Sequence, residues 1–373
     1  MTKQQNKLLP RGIASLGLMA ALAGLSSNAL AQSSVSLYGE IDASAVWLNN
    51  VGGGHQFQLA SGLIDGSFWG LQGSEDLGGG NQTIFRLERG FSVTTGADQN
   101  DHPYYIGLAN DRYGTLTLGH QYDSIHDYLA PFTLTGGNGG TAFAHPFDND
   151  NTNNSWLGRN SLKYTNSSFA GLSFGGMYAF SNAAGRFADN RAYSIGANYG
   201  NGDFSAGAAW VHADGRGRSE SGAYDAVTLP GTNRNMFDAS VQTQNTFGIG
   251  ASQALGPFTL AASWTRSIWS GIADTETGLA ARAVAFDNYE INGTWQASVT
   301  LSLSGMYTYT KGTEARWNQG ALQADYLLTK RTDTYIEAIY QYASSGAPAA
   351  INTIMPSSGS SQLLFAAGIR HHF

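Results

Sequence analysis

Apolar and polar residues alternate with a period of two from Val35 to Phe373, and that alternation predicts strands. The segments lie at roughly 34–48, 63–75, 80–92, 102–110, 112–123, 159–167, 171–181, 190–200, 203–213, 244–255, 257–269, 285–297, 299–310, 316–328, 332–344 and 361–373. Each approaches or exceeds the ~9–11 residues that cross hydrocarbon at a tilt. Connections alternate between short turns and long loops. The short ones include 77–79, Asp111, 168–170, 201–202, Gly256, Ser298 and 330–331. The long ones centre on 52–54, 95–100, 124–158, 182–189, 213–242, 271–284, 311–315 and 345–360. Seven short and eight long connections are what sixteen antiparallel strands with both ends on one side require. The predicted fold class is all-β, a 16-stranded antiparallel transmembrane β-barrel.

Facing follows from the same pattern. In the first segment Val35, Leu37, Gly39, Ile41, Ala43, Ala45 and Trp47 form the outward set, while Ser36, Tyr38, Glu40, Asp42 and Ser44 face a lumen. In the third, Phe85, Leu87 and Phe91 point out and Arg86 and Glu88 point in. Arg89 falls on the outward side near the rim, where the cost of a charge is small. Counting back from the terminal aromatic, Ile369, Ala367, Phe365 and Leu363 share one face of the closing strand. Small outward residues in the first strand would let a second barrel approach closely.

Composition narrows the function classes. Glycine numbers 48, and Tyr and Phe 18 each, against only 8 Pro, which suits many twisted amphipathic strands. Cysteine is absent, which excludes disulfides, thiolate metal sites and a Cys nucleophile. The formal net charge of −7 argues against nucleic acid as a partner. Lys3, Lys7 and Arg11, then an apolar run from Gly12 to Leu25, then Ala29-Leu30-Ala31 predict a cleaved signal peptide over 1–31. The barrel domain would occupy 32–373. Beyond that segment no apolar stretch is long enough for a spanning helix, and a closed barrel is the remaining way to pair every backbone group in lipid.

Several stretches resemble the trimeric general porins of β-proteobacterial, Gram-negative outer membranes. They are Ser34-Val35-Ser36-Leu37-Tyr38-Gly39, the run from Phe68 to Gly80 containing Trp69-Gly70-Leu71-Gln72-Gly73-Ser74-Glu75-Asp76-Leu77, and Phe85-Arg86-Leu87-Glu88. Gly114-Thr115-Leu116-Thr117-Leu118-Gly119, Asn160-Ser161-Leu162-Lys163-Tyr164 and Gly368-Ile369-Arg370-His371-His372-Phe373 join them. The resemblance implies a water-filled homotrimeric pore for passive diffusion of small hydrophilic solutes and ions. It implies lipid and lipopolysaccharide around it, and insertion by the barrel-assembly machinery through Phe373. It also implies that the third extracellular loop, about Ser124 to Gly158, folds inward and constricts the pore. Charged rings at such a narrowing bias which ions pass.

The resemblance supplies candidate lining residues. Arg86, Arg159 and Lys163 would form a basic wall beside Glu88. Asp123, Asp127, Asp148 and Asp150 would supply the loop's acids. Positions where the family carries Arg hold Phe68, Gln72, His102 and His120 instead, so the sign of selectivity stays open. Wetted histidines there would make it pH-dependent. Asp148 to Asn154 is oxygen-rich but departs from a calcium loop at Asn153 and Arg159, so no metal or cofactor is expected. Gly171-Leu172-Ser173-Phe174-Gly175 matches a hydrolase motif, yet it lies within an alternating strand and no helix follows. Alternative readings are a sugar-preferring pore stacking solutes on Phe68, Tyr104 and Trp156, a barrel hydrolase, and an adhesin using the 213–242 loop.

Overall fold

The computed structural model describes residues 34–99, 102–214, 239–240, 242–274 and 282–373. The leader expected at 1–31 and nearly all of the 213–242 loop lie outside the described residues. Sixteen antiparallel strands close into a barrel. They are β1 (Ser34–Val51), β2 in two pieces (Gly54–Ser61 and Phe68–Gly78), β3 (Asn81–Phe91), β4 (Tyr104–Asn110), β5 (Gly114–Gln121), β6 (Gly158–Thr165), β7 (Leu172–Ala179) and β8 (Ala192–Asn201). There follow β9 (Phe204–Asp214), β10 (Thr243–Leu255), β11 (Phe258–Asp274), β12 (Arg282–Gln296), β13 (Leu301–Gly312), β14 (Arg316–Thr329), β15 (Thr332–Ala343) and β16 (Ser361–His372). Two short pairings, Asp98–Gln99 on β3 and Ala239–Ser240 on β11, extend the rim. Among the described residues no helix is long and apolar enough to cross a membrane.

Closure joins β1 to β16 in a register that sets Asp42 opposite Arg370 and Leu48 opposite Leu364. Gly39 and Phe373 then exchange both backbone hydrogen bonds, at 3.2 and 3.0 Å. No sheet edge is left at the seam, which is what an apolar solvent demands. The alternation places Asp42 and Ser44 inside, nearly inaccessible, while Ile41, Trp69, Leu87 and Ile106 stand exposed on the outside. Aromatics gather outside near the strand ends, as where Tyr178 stacks on Tyr193 and Trp47 on Phe365.

The second strand departs from the expected 63–75. It begins at Gly54, after a tight turn at Gly52-Gly53 where a long loop was expected, and breaks over residues 62–67 before resuming at Phe68. The break folds inward. Ser67 Oγ donates to Asp42 O (3.1 Å) and accepts from Asp42 N (2.9 Å). Asp42 Oδ2 accepts from the backbone N–H of Ile64 at 2.8 Å, so a buried carboxylate and hydroxyl replace the lost ladder. Leu63 and Ile64 are thereby turned into the barrel instead of toward lipid.

Loop 3, residues 122–157, lies against the inner wall. Asp123 caps its helix α1 (Ser124–Tyr128), accepting from Ile125 N and His126 N at 2.8 and 3.1 Å. Ile125, Tyr128, Leu129 and Phe132 bury against Met177, Ala209 and Val211 of the wall. Inward glycines make the space: a Cβ on Gly196 would stand 2.5 Å from Tyr128, and one on Gly250 2.5 Å from Phe132. Further along, Leu134 and Phe143 join Leu63, Ile64, Val46, Ile339, Ile351 and Ile354 in a second apolar cluster. Loop 3, the break in β2 and the loop after β15 thus fill one side of the barrel with close-packed hydrocarbon.

Candidate pore site

Between loop 3, the break in β2 and the loop after β15 lies a cavity of about 560 Å³. Loop 3 presents only uncharged groups to it, among them Thr135, Gly137, Asn153, Asn154 and Ser155. Asp65 and His102 line it from β2 and β4's approach, and Arg370 from β16. The loop and the break are latched to each other: Thr141 donates its N–H and Oγ1 to Leu63 O, at 2.9 and 3.0 Å. Gly140 (φ +83°) is pressed so closely on Leu63 and Ile64 that a Cβ would fall 2.4 Å from both. Only glycine satisfies that approach in that conformation.

The predicted residues sort into three places. Phe68, Gln72, Arg86 and Glu88 are on the inner faces of β2 and β3. Glu88 accepts from Tyr38 Oη (2.5 Å) and Arg86 Nε (2.6 Å), pairs with Arg86 Nη2, and faces His102 Nδ1 at 3.2 Å. His102 also lies tilted against Phe68, ring centres 4.7 Å apart. Lys163 is on the inner face of β6, where it donates to Tyr122 O at 3.0 Å and pairs with Asp127. That pair ties the root of loop 3 to the wall. Burial would raise the Asp127 pKa, but the Lys163 ammonium overrides it and holds the carboxyl below its ordinary range.

The loop acids do not form an eyelet facing the cavity, and this corrects the expectation for three of them. Asp123 is fully buried as the α1 cap and accepts from Asn151 Nδ2 at 3.1 Å; burial pushes it up to about 6. Asp148 accepts the N–H groups of Asn153 and Ser155, both at 2.9 Å. Burial raises its pKa, with Asp150 adding to the effect and those N–H donors opposing it. Asp150 accepts from Thr265 Oγ1 (2.5 Å) and Thr152 Oγ1 (3.0 Å) and faces His145 Nδ1 at 2.7 Å. The Asp148 and Asp150 carboxylates are thus met by the loop's own donors and by the wall. Buried carboxylates are retained where such donors meet them.

His120 is corrected outright. It is paired with Tyr104 across β4 and β5 and stacks on it at 6.2 Å, on the same outward face as Ile106, Leu108 and Leu118. Arg159 follows Gly158, which pairs with Gln121 at the register shift; its charge acts on His120, and it is not among the residues lining the cavity. The stacking platform for sugars is also dispersed. Tyr104 points out, Trp156 is buried against α1 and the wall, and Phe68 is covered by His102. Gly171 to Gly175 lies at and within β7, whose residues 172–175 pair with β8, with no elbow.

Three features went unpredicted. The break in β2 carries Asp65 inward. His145, 1% exposed, is clasped between Asp150 and Glu290 Oε2, the latter at 3.1 Å. Burial alone would lower the imidazole pKa, but the two carboxylates raise it to about 10. Arg370 sits among inward carboxylates: Asp333 at 3.2 Å, Asp325 at 3.6 Å and Glu40 at 3.9 Å. Its Nη2 also donates to Asn138 of loop 3 at 2.9 Å.

A family model described as Gram-negative porin matches residues 18–346. An outer membrane porin protein of Bordetella pertussis is 28% identical over 291 residues, covering 68% of this chain and 69% of the relative. The major outer membrane protein P.IB of Neisseria meningitidis serogroup B is 30% identical over 190 residues, about half of each chain (47% and 52%). Among solved structures, an anion-selective porin from Comamonas acidovorans superposes with a TM-score of 0.74 at 19% identity, covering 92% of this chain and 100% of that one. OmpT of Vibrio cholerae, in trimer form, gives 0.68 at 13% identity, covering 91% and 99%. The chain belongs to the family of Gram-negative porins, outer-membrane channels for passive diffusion.

Proposed function

We propose that small hydrophilic solutes and ions cross this barrel through an aperture bounded by loop 3 on one side and by the inward break of β2 on the other. The observation that carries this reading is the cavity between those two elements, lined by amides, hydroxyls and a few charges and walled by packed hydrocarbon behind. Such a lining binds nothing tightly and excludes by size. No step of bond-making is assigned to the lumen. The mature protein is read as residues 32–373, exported by the leader at 1–31 and recognised for insertion through its terminal Phe373. A homotrimer is supported by the small outward residues of β1, Ala43 and Ala45 among them, which allow close approach of a second wall. Lipid and lipopolysaccharide would cover the remaining outer face.

Liposome swelling tests the transport reading. Influx of neutral sugars through the purified protein should fall steeply from a pentose to a trisaccharide and stay linear in solute concentration. A rate that saturates with one sugar while its isomers pass freely would instead establish a binding pore.

A further inference from the structure

We propose that Asp65 gives this pore a preference for cations. Resting on the open-pore reading above, this names the residue that sets its charge selectivity. Asp65 sits at the tip of the inward break and is exposed to the cavity, with Gly66 N at 2.9 Å as a backbone donor. No direct ion pair to its carboxylate is formed among the described residues; burial in the break raises its pKa, while the Gly66 N–H and the His102 and Arg370 charges act the other way. The loop 3 surface facing it is uncharged, because Asp123, Asp148 and Asp150 are spent on caps and on the wall. Arg370 reaches the same cavity, but Asp333, Asp325 and Glu40 surround its guanidinium and it is only 12% exposed. His102 leans on Glu88. Once Asp65 is ionised, the charges at the aperture therefore add up to a negative field with that carboxylate nearest the solution.

A carboxylate beside a narrow, low-dielectric passage raises the local concentration of cations and lowers that of anions. The effect grows as salt is diluted, since screening reaches ~8 Å at physiological ionic strength and farther below it. An anion preference, such as the Comamonas porin's description carries, needs the opposite balance.

The test is the zero-current potential of the full mature protein in a planar bilayer under a tenfold KCl gradient, recorded with single-channel conductance. Wild type should favour potassium over chloride, more so at lower salt. Asp65→Asn should reduce the permeability ratio by about three- to fivefold, the effect of one unit charge a few ångströms from the ion path. Asp65→Lys should move it past unity toward chloride. Asp203→Asn, at the exposed turn between β8 and β9 and not among the cavity's lining residues, should leave it unchanged. Normal conductance steps with an unaltered ratio in both Asp65 variants would overturn the inference and spare the pore reading. An equal change in Asp203→Asn would overturn it too, and absence of steps in wild type would overturn both.

Discussion

Replacing His145 by alanine is expected to free loop 3 from the wall of the barrel. The imidazole is 1% exposed, with Asp150 at 2.7 Å on one nitrogen and Glu290 at 3.1 Å on the other. Glu290 also accepts from Leu134 N at 2.7 Å, so it holds the loop at two points. Asn149 O accepts from Ser267, Gln244 and Trp269 alongside. Removing the cation leaves two buried carboxylates facing each other, a loss of about 3–5 kcal/mol. Amide exchange at Thr152 and Trp156 should accelerate on the order of a hundredfold or more, while the barrel strands keep their protection. Unchanged exchange would show that the clasp is not what holds the loop. The pH dependence has a definite sign. His145 is raised to about 10 from an ordinary ~6.5, so its contribution is complete below ~6.5 and is lost as pH climbs through about 10. Asp150 is lowered, so its share is present above an ordinary ~3.9 and disappears as pH falls through its depressed value. Loop 3 should be held best between ~4 and ~6.5 and loosen in alkali.

Replacing Arg370 by leucine should weaken closure of the barrel itself. Its guanidinium lies at the seam, opposite Asp42 on β1 and Asp333 on β15. Glu40, Asp42, Asp325, Asp333 and Glu337 all turn inward there, each with under a tenth of its surface accessible. Beyond Arg370, the imidazole of His372 also meets this group, its Nδ1 3.0 Å from Glu40 and its ring half exposed. Loss of the guanidinium leaves like charges crowded in a low-dielectric wall, again about 3–5 kcal/mol. The urea midpoint of the refolded barrel should fall, with less heat-modifiable folded band on unheated gels. Adding Asp333→Asn should recover part of the loss, because one repelling charge is removed. An unchanged midpoint in the single variant would mean the carboxylates are neutralised some other way.

Much of this architecture could be read from alternation alone, because a strand with lipid on one side and a lumen on the other cannot hide its period. The same rule would have placed His120 correctly. Leu116 and Leu118 point outward, so the residue two further on does too; resemblance to a pore-lining arginine position led elsewhere. The break in β2 was also marked, by adjacent Leu63 and Ile64 between Gly62 and Gly66, which spoils the alternation over a turn-prone stretch. The strong alternation that resumes from Phe68 extends the strand expectation back over it to residue 63. Pairing Arg370 with Asp42 follows once the last strand is laid antiparallel on the first. The loop acids are different. Whether Asp123, Asp148 or Asp150 faces water, caps a turn or meets a wall residue more than a hundred positions away is decided by tertiary contacts, and local sequence carries little of that. Asp123 before Ser124-Ile125-His126 does carry the signature of a helix cap.

The most direct test of the diffusion-pore account is the single-channel conductance of the refolded mature chain in a planar bilayer. Large ohmic steps are expected in the absence of any ligand or energy source, closing in groups of three if the homotrimer forms. Correctly inserted barrels that pass no current would contradict it, and would mean that loop 3 and the β2 break seal the lumen instead of narrowing it.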